Sequence, residues 1–368
     1  MPRTSTHALE TMPFRPNWEG LVRNILRKGT PDRVYNIELF HDGEVEDAIV
    51  QRFGLDAHLS RADPDYTRWR HLAMARFLGF DTIRVGLRNV TVGTYHQSTE
   101  DTAGLPRSGG RNYQDEHKGP ITTWDEFEQF PWPDPTASEV TADLEWWQEH
   151  LPEDMCIMGS GGFAHFAEYL CWLMGYETLC YALYDDRDLV AAIAERLCDL
   201  YRVCAQRLLE FDRVKILFGS DDMGYKTGPL LSPADLRAFV LPGHRMCARM
   251  AHEAGRPYLL HSCGNLSEIM GDLVDDVRID ARHSFEDTIE DVRDAKKTYG
   301  QRIALLGGID VDFLCRSDEE SIRQRVRDTL AICQPGGGYC LGTGNSVCNY
   351  IPLDSYLAML DEGRRWTG

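Results

Sequence analysis

A histidine and a cysteine separated by one residue close an apolar run, Tyr258-Leu259-Leu260-His261-Ser262-Cys263-Gly264-Asn265. Side chains alternate between faces along a strand, so His261 and Cys263 are directed to the same side. An imidazole and a thiolate aimed at one point suit zinc better than magnesium or calcium, which take oxygen donors. A buried cysteine beside a hydrogen-bonded histidine is the bland alternative. The place of the pair along the whole chain decides between them.

Apolar runs separated by helix signals predict eight strands, at 34–40, 82–87, 156–161, 214–219, 257–262, 278–285, 303–308 and 338–342. Helix signals follow the later strands. Ser232-Pro233 opens one helix, 186–209 is a long amphipathic pattern, and Ser317-x-x-Glu320 reads as a capping box before Ile322, Val326, Leu330 and Cys333. Strict alternation of strand and helix predicts an α/β fold, a (β/α)8 TIM barrel with its working face at the strand C-termini. A long insertion, 88–135, falls between strands 2 and 3, Gly- and polar-rich over 104–119 and aromatic after that. A segment of that length is expected to be a lid, a binding loop or a dimer contact. Residues 1–17 form an N-terminal extension and 18–368 a single domain.

The 368 residues, 43% apolar and 10% aromatic, suffice for one such barrel. A formal net charge of −19 with no basic run argues against a nucleic-acid partner. The N-terminus lacks an apolar signal core, and no stretch is long enough to span a bilayer, so no membrane partner and a cytoplasmic location are expected. Eleven cysteines, an odd number, read as reduced residues rather than a disulfide framework.

With these strands, the C-terminal ends carry Glu38, His41, Arg88, His165, Asp221, Asp222, His261, Cys263, Glu286, Asp287, Asp310 and Asn345. That set is acidic and imidazole-rich. Lysine chemistry through a Schiff base is disfavoured, because Lys215 sits at the wrong end of its strand. Asp221 and Asp222 are candidates for metal ligation, for proton donation or for bonding loop amides. His283 and Glu286 lie three residues apart on one strand, so both cannot face inward; His283 is assigned to the helix side.

Thr30-Pro31-Asp32-Arg33-Val34, Gly219-Ser220-Asp221-Asp222-Met223-Gly224 with Leu231-Ser232-Pro233, His261-Ser262-Cys263-Gly264-Asn265 and Leu306-Gly307-Gly308-Ile309-Asp310 follow one another in an order that resembles the uroporphyrinogen decarboxylase superfamily, from about Trp18 to the C-terminus. Within it the chain is more similar to the zinc-dependent, corrinoid-linked methyltransferase branch. Porphyrin decarboxylases carry an arginine-rich segment after the first strand, where this chain reads Glu38-Leu39-Phe40-His41-Asp42-Gly43.

The resemblance implies a methyltransferase that moves a methyl group between a small methylated compound, such as an O-methyl aromatic, or a thiol or pterin acceptor, and a corrinoid. Zinc would be the Lewis acid, and cobalamin or another corrinoid would be supplied by a partner protein. The branch usually takes a third ligand from a Gly-Cys-Gly turn, and this chain has Gly344-Asn345-Ser346 there. The expected metal ligands are therefore His261, Cys263 and Glu286, with Cys340 or Cys348 as a fourth. Asp222 and Glu38 are the expected catalytic acids, and His41, His165, Asp221 and Asn345 the expected substrate-binding residues. A metal-free decarboxylase or lyase acting on a smaller substrate, and a degenerate non-catalytic binding barrel, are the alternatives. A homodimer is compatible with the fold, although no exposed apolar face can be read from the sequence.

Overall fold

The computed structural model describes residues 5–105, 107, 110–115 and 117–367. Seven strands, β1 (Thr82–Val85), β2 (Cys156–Gly159), β3 (Val214–Ser220), β4 (Tyr258–His261), β5 (Ala281–His283), β6 (Ala304–Leu306) and β7 (Tyr339–Cys340), form one sheet in chain order. Every neighbouring pair is parallel. Such a sheet is buried on both faces, which explains why its strands are nearly continuous apolar runs. Met158, Ile216, Phe218, Leu259, Ala281, Leu306 and Cys340 pack with Tyr35, Ile37 and Leu39 in an inner cluster. The alternate residues, including Ile157, Leu217, Leu260 and Leu305, pack in the larger cluster shared with the helices.

The expected first strand, 34–40, is held more loosely. It makes one parallel bridge, Asn36 to Leu341, with Ile37 N–H on Leu341 O at 2.9 Å and Leu341 N–H on Tyr35 O at 2.8 Å. On its other side no ladder joins it to β1 among the described residues. The Asn36 amide instead donates to Leu78 O at 3.2 Å, so a side chain fastens the segment where a strand pairing was expected. The strand predicted at 278–285 shrinks to Ala281–His283, because the preceding π-helical turn, Leu273–Val277, ends at Arg278 with φ 65°.

Helix starts follow the carboxylates and hydroxyls. Asp186 caps Arg187–Leu209 by accepting from Leu189 N–H, and Ser232 caps Pro233–Asp235. The cap of Glu319–Cys333 is Asp318, which accepts from Ser321 N–H, and not the expected Ser317, which ends the helix before it. A carboxylate one residue closer is the better acceptor for the helix N-terminus. The short helix His7–Thr11 of the N-terminal extension docks on the last helix, Leu353–Arg365, through Ala8 N–H on Asp361 Oδ1 at 2.7 Å.

The 88–135 segment contains an antiparallel hairpin, His96–Thr99 with Arg111–Gln114, and the helix Trp124–Gln129. Its Arg107 and Arg111 reach Asp42 at 2.9 and 3.3 Å, which ties the hairpin to the rim beside 34–40. Pro106, Ser108, Gly109 and Glu116 of the polar stretch lie outside the described residues. Among the described residues no helix is long and apolar enough to cross a membrane.

Candidate functional site

Ser220, His261 and His283 stand at one level across β3, β4 and β5, each the last residue of its strand. In-register neighbours in a sheet share a face, so the two imidazoles point the same way, to the face that carries the inner cluster. The turns that follow bring Asp222 and Cys263 over His261. His261 Nε2 lies 3.4 Å from Cys263 Sγ and 3.2 Å from Asp222 Oδ1. Asp222 Oδ1 also accepts the Cys263 N–H at 2.8 Å, which locks one loop to the other. All three ligand atoms lie within 4.8 Å of one another, the one such His, Cys and carboxylate group among the described residues.

The donor set fits zinc. Bonds of about 2.0–2.3 Å in a tetrahedron place neighbouring donors roughly 3.3–3.6 Å apart, and the imidazole-to-sulfur and imidazole-to-carboxylate distances are of that size. Burial, reinforced by the Asp222 charge, pushes the Cys263 thiol well above its ordinary range, so the thiolate needs a cation beside it. Burial also works against the Asp222 carboxylate, but the His261 hydrogen bond and charge outweigh it and hold the group below the usual range. His261 is 3% exposed and Asp222 41%, so the cluster is anchored on its strand side and open to solvent at the strand C-termini. The other His261 nitrogen, Nδ1, is 2.7 Å from His283 Nδ1. That contact turns Nε2 toward the sulfur and the carboxylate.

Beside the cluster is a cavity of about 400 Å³, lined from one side by Ile37, Glu38, Leu39 and His41, from the other by Thr82, Arg84 and Gly86, and floored by Met158, Ser160, His165 and Ser220. It occupies the seam between 34–40 and β1. Glu38 accepts from Thr343 N–H at 3.0 Å and meets Thr343 Oγ1 at 2.6 Å, and burial pushes its carboxyl up to about 8. His41 Nε2 pairs with Tyr356 OH at 2.8 Å, and burial, with the charges of His71 and Arg84, pushes it down to about 3, which keeps it neutral. His165 Nδ1 bonds the Glu168 carboxylate; burial alone would lower this imidazole, and the Glu168 bond and charge raise it instead.

The chain matches the uroporphyrinogen decarboxylase (URO-D) family over residues 115–366, more than half of its length. It belongs to that family. Among solved structures, this URO-D family chain is similar to a methyltransferase from Methanosarcina mazei, at 17% identity and a TM-score of 0.67 over 96% of this chain and 99% of that one. A putative vitamin-B12 independent methionine synthase from Listeria monocytogenes follows at 14% identity and a TM-score of 0.47, over 91% and 95% of the two chains. No curated protein matches the chain by sequence. At 17% identity the likeness to the Methanosarcina mazei structure establishes the fold alone.

Within this URO-D family chain the expected site residues sort by position. The carboxylate beside His261 and Cys263 is Asp222, not Glu286. Glu286 lies past the end of β5 and lines a second pocket with Asp310, Phe313 and Asn345. His283 faces inward and is 0% exposed, not on the helix side as expected, and because β5 ends at it, Glu286 lies beyond the strand and outside its alternation. Cys340 is deep in the inner cluster, 3.5 Å from Asn24 Nδ2 and raised to about 12 by burial, far from the role of a fourth ligand. Cys348 is outside the cluster as well, on the turn before Tyr350.

Asp221 is 0% exposed. Its oxygens accept from Ala167 N–H at 2.9 Å and Glu168 N–H at 3.0 Å and meet His244 Nε2 at 2.8 Å. It holds the helix Ala167–Met174 in place, and its burial closes it off from a substrate. Asn345, on the turn where the resemblance leads one to look for cysteine, donates from Nδ2 to Cys263 Sγ at 3.2 Å. Arg84 was missed. It occupies an inward position of its strand, in register with Met158, where the period-two pattern would have found it.

Proposed function

We propose that this URO-D family chain is a methyltransferase that binds one zinc ion through Asp222, His261 and Cys263 and exchanges a methyl group with a corrinoid carried by a partner protein. The observation that carries the reading is the convergence of imidazole, thiol and carboxylate at the strand C-termini, beside a cavity that opens to solvent. The similarity to a Methanosarcina mazei methyltransferase supports it at the level of fold. When bound, zinc supplies Lewis acidity, which lowers the pKa of an incoming thiol or polarises the leaving group of a methyl donor.

The residues of the chain do the rest. Asp222 ties the β3 and β4 loops together through the Cys263 N–H, and His283 fixes the direction of His261. Asn345 donates to the sulfur, which stabilises thiolate character and limits its reach. Glu38, with its carboxyl raised to about 8, keeps its proton near neutrality and is the group in the cavity able to give one to a departing alkoxide or phenoxide. The apolar walls Ile37, Leu39, Met74, Phe80 and Met158 give the methyl-bearing compound a surface to pack on.

The test is metal content together with activity. Purified protein is expected to hold one zinc per chain with a single sulfur ligand by X-ray absorption, and to exchange methyl groups with free cobalamin. His261→Ala and Cys263→Ala should lose both the metal and the activity. Full activity in a metal-free preparation would overturn the reading.

A further inference from the structure

Arg84 projects from β1 into the barrel, in register with Met158 of β2. Its Nε donates to Ser160 Oγ at 3.0 Å, and its Cζ stands 5.6 Å from the centre of the Phe218 ring. Among the described residues no carboxylate lies within 4.0 Å of the guanidinium, and its two Nη groups have no protein acceptor. Arg33 and Arg282, in contrast, are paired, with Asp81 and Glu290. Arg84 instead lines the 400 Å³ cavity.

The titratable neighbours do not neutralise it. His41 is pushed down to about 3 and His71 is lowered, in both cases by burial first and with Arg84 contributing. Glu46 sits by His71, 3.9 Å from its Nδ1. Glu38 is committed to Thr343, and with its carboxyl at about 8 it is largely uncharged near neutrality. Burial lowers Arg84 itself to about 10, which leaves it charged. Arg84 is partly buried between apolar walls with no counter-charge in contact, so the cavity presents one unpaired positive charge. The walls around it, Ile37, Leu39, Met74, Phe80 and Met158, are apolar.

We propose that the cavity takes a small monocarboxylate, its two oxygens on the Arg84 guanidinium and its apolar body extending past Met158 toward Ser220 and His165, beside the Asp222, His261 and Cys263 cluster. This rests on the methyltransferase reading, in which the carboxylate is the handle of the methyl donor or acceptor. The planar fork of a guanidinium matches a carboxylate in bidentate geometry. A phosphate dianion brings more charge and more acceptor oxygens than one guanidinium between apolar walls satisfies.

The experiment measures binding of unbranched carboxylates from acetate to decanoate, of benzoate and phenylacetate, of the matching primary amides, and of inorganic phosphate to the full chain, by calorimetry and thermal shift. At least one carboxylate is expected to bind about tenfold or more tightly than its amide, and Arg84→Met to abolish that preference while leaving the amide unchanged, a difference of about 1.4 kcal/mol. Arg84→Lys should keep part of it. Removing an unpaired, partly buried cation should not lower the melting temperature, so Arg84→Met is expected to fold. Amides binding as well as carboxylates, phosphate binding best, no carboxylate binding at all, or a preference that survives Arg84→Met would each overturn the proposal. His261→Ala separates the two readings: carboxylate preference retained in a protein whose methyl transfer never depended on His261 would leave the cavity assignment standing and remove the methyltransferase reading.

Discussion

His283 Nδ1 faces His261 Nδ1 across 2.7 Å, both rings at the ends of adjacent strands and both enclosed. Two lone pairs cannot share that gap, so one ring presents N–H and the other accepts. If His261 is the donor, its Nε2 lone pair is left for a metal, as ligating histidines generally require.

His283→Phe keeps an aromatic ring in place and removes the acceptor. Zinc affinity is expected to fall about 10–100-fold, read by competition with a chromophoric chelator. His283→Gln, which retains an acceptor, should recover most of the loss. Equal affinities in all three proteins would deny His283 this role.

Glu38 makes stability depend on pH. Its folded value, about 8, lies above the ordinary 4.5, so between these values the native state holds a proton that the unfolded chain has released. Stability contributed by the protonated form is complete below about pH 4.5 and declines as pH rises toward 8. Glu38→Gln should therefore match the wild type in urea unfolding near pH 4.5 and exceed it by about 2–4 kcal/mol near pH 8.5. An unchanged difference across that range would place the Glu38 proton elsewhere.

Asp221 and Asp222 are adjacent in sequence and opposite in consequence. Asp221→Ala leaves two helix amides and His244 without an acceptor in a dry interior. A loss of about 3–5 kcal/mol in unfolding free energy is expected, with normal zinc content in whatever protein folds. Asp222→Ala should do the reverse, releasing the metal with a smaller effect on unfolding, since its side chain is 41% exposed. Exchange of these two phenotypes would refute the assignment.

Asn345 already touches Cys263 Sγ from the turn where relatives are expected to carry cysteine. Asn345→Cys should raise the sulfur count at zinc from one to two by X-ray absorption, and tighten zinc by roughly tenfold or more through the softer donor. A count that stays at one would mean that the turn cannot deliver its side chain to the ion.

The inward and outward alternation of β4 was readable because Tyr258 to His261 is uninterrupted, and it led directly to the pair at its end. The same alternation could not say which way His283 faces, since that depends on where β5 starts, and the start is set by the left-handed Arg278. Asp222 was recognisable as functional but not as a neighbour of Cys263, because that contact is made by a loop-to-loop hydrogen bond with no sequence period. Arg84 was passed over because it sits inside a strand rather than after one. The eighth strand read from 34–40 has the right composition, but the Asn36 side chain takes up bonding that a ladder would have supplied.

That unladdered edge has an evolutionary consequence. A pocket walled by hydrogen-bonded strands can change width only by disturbing the sheet, whereas the gap between 34–40 and β1 is spanned by side chains alone. Exchanging Ile37, Met74 or Phe80 for larger or smaller residues would therefore retune which molecules enter, while the cluster around His261, three strands away in the sheet order, keeps its geometry. Descendants of this chain could acquire new substrates there without rebuilding their chemistry.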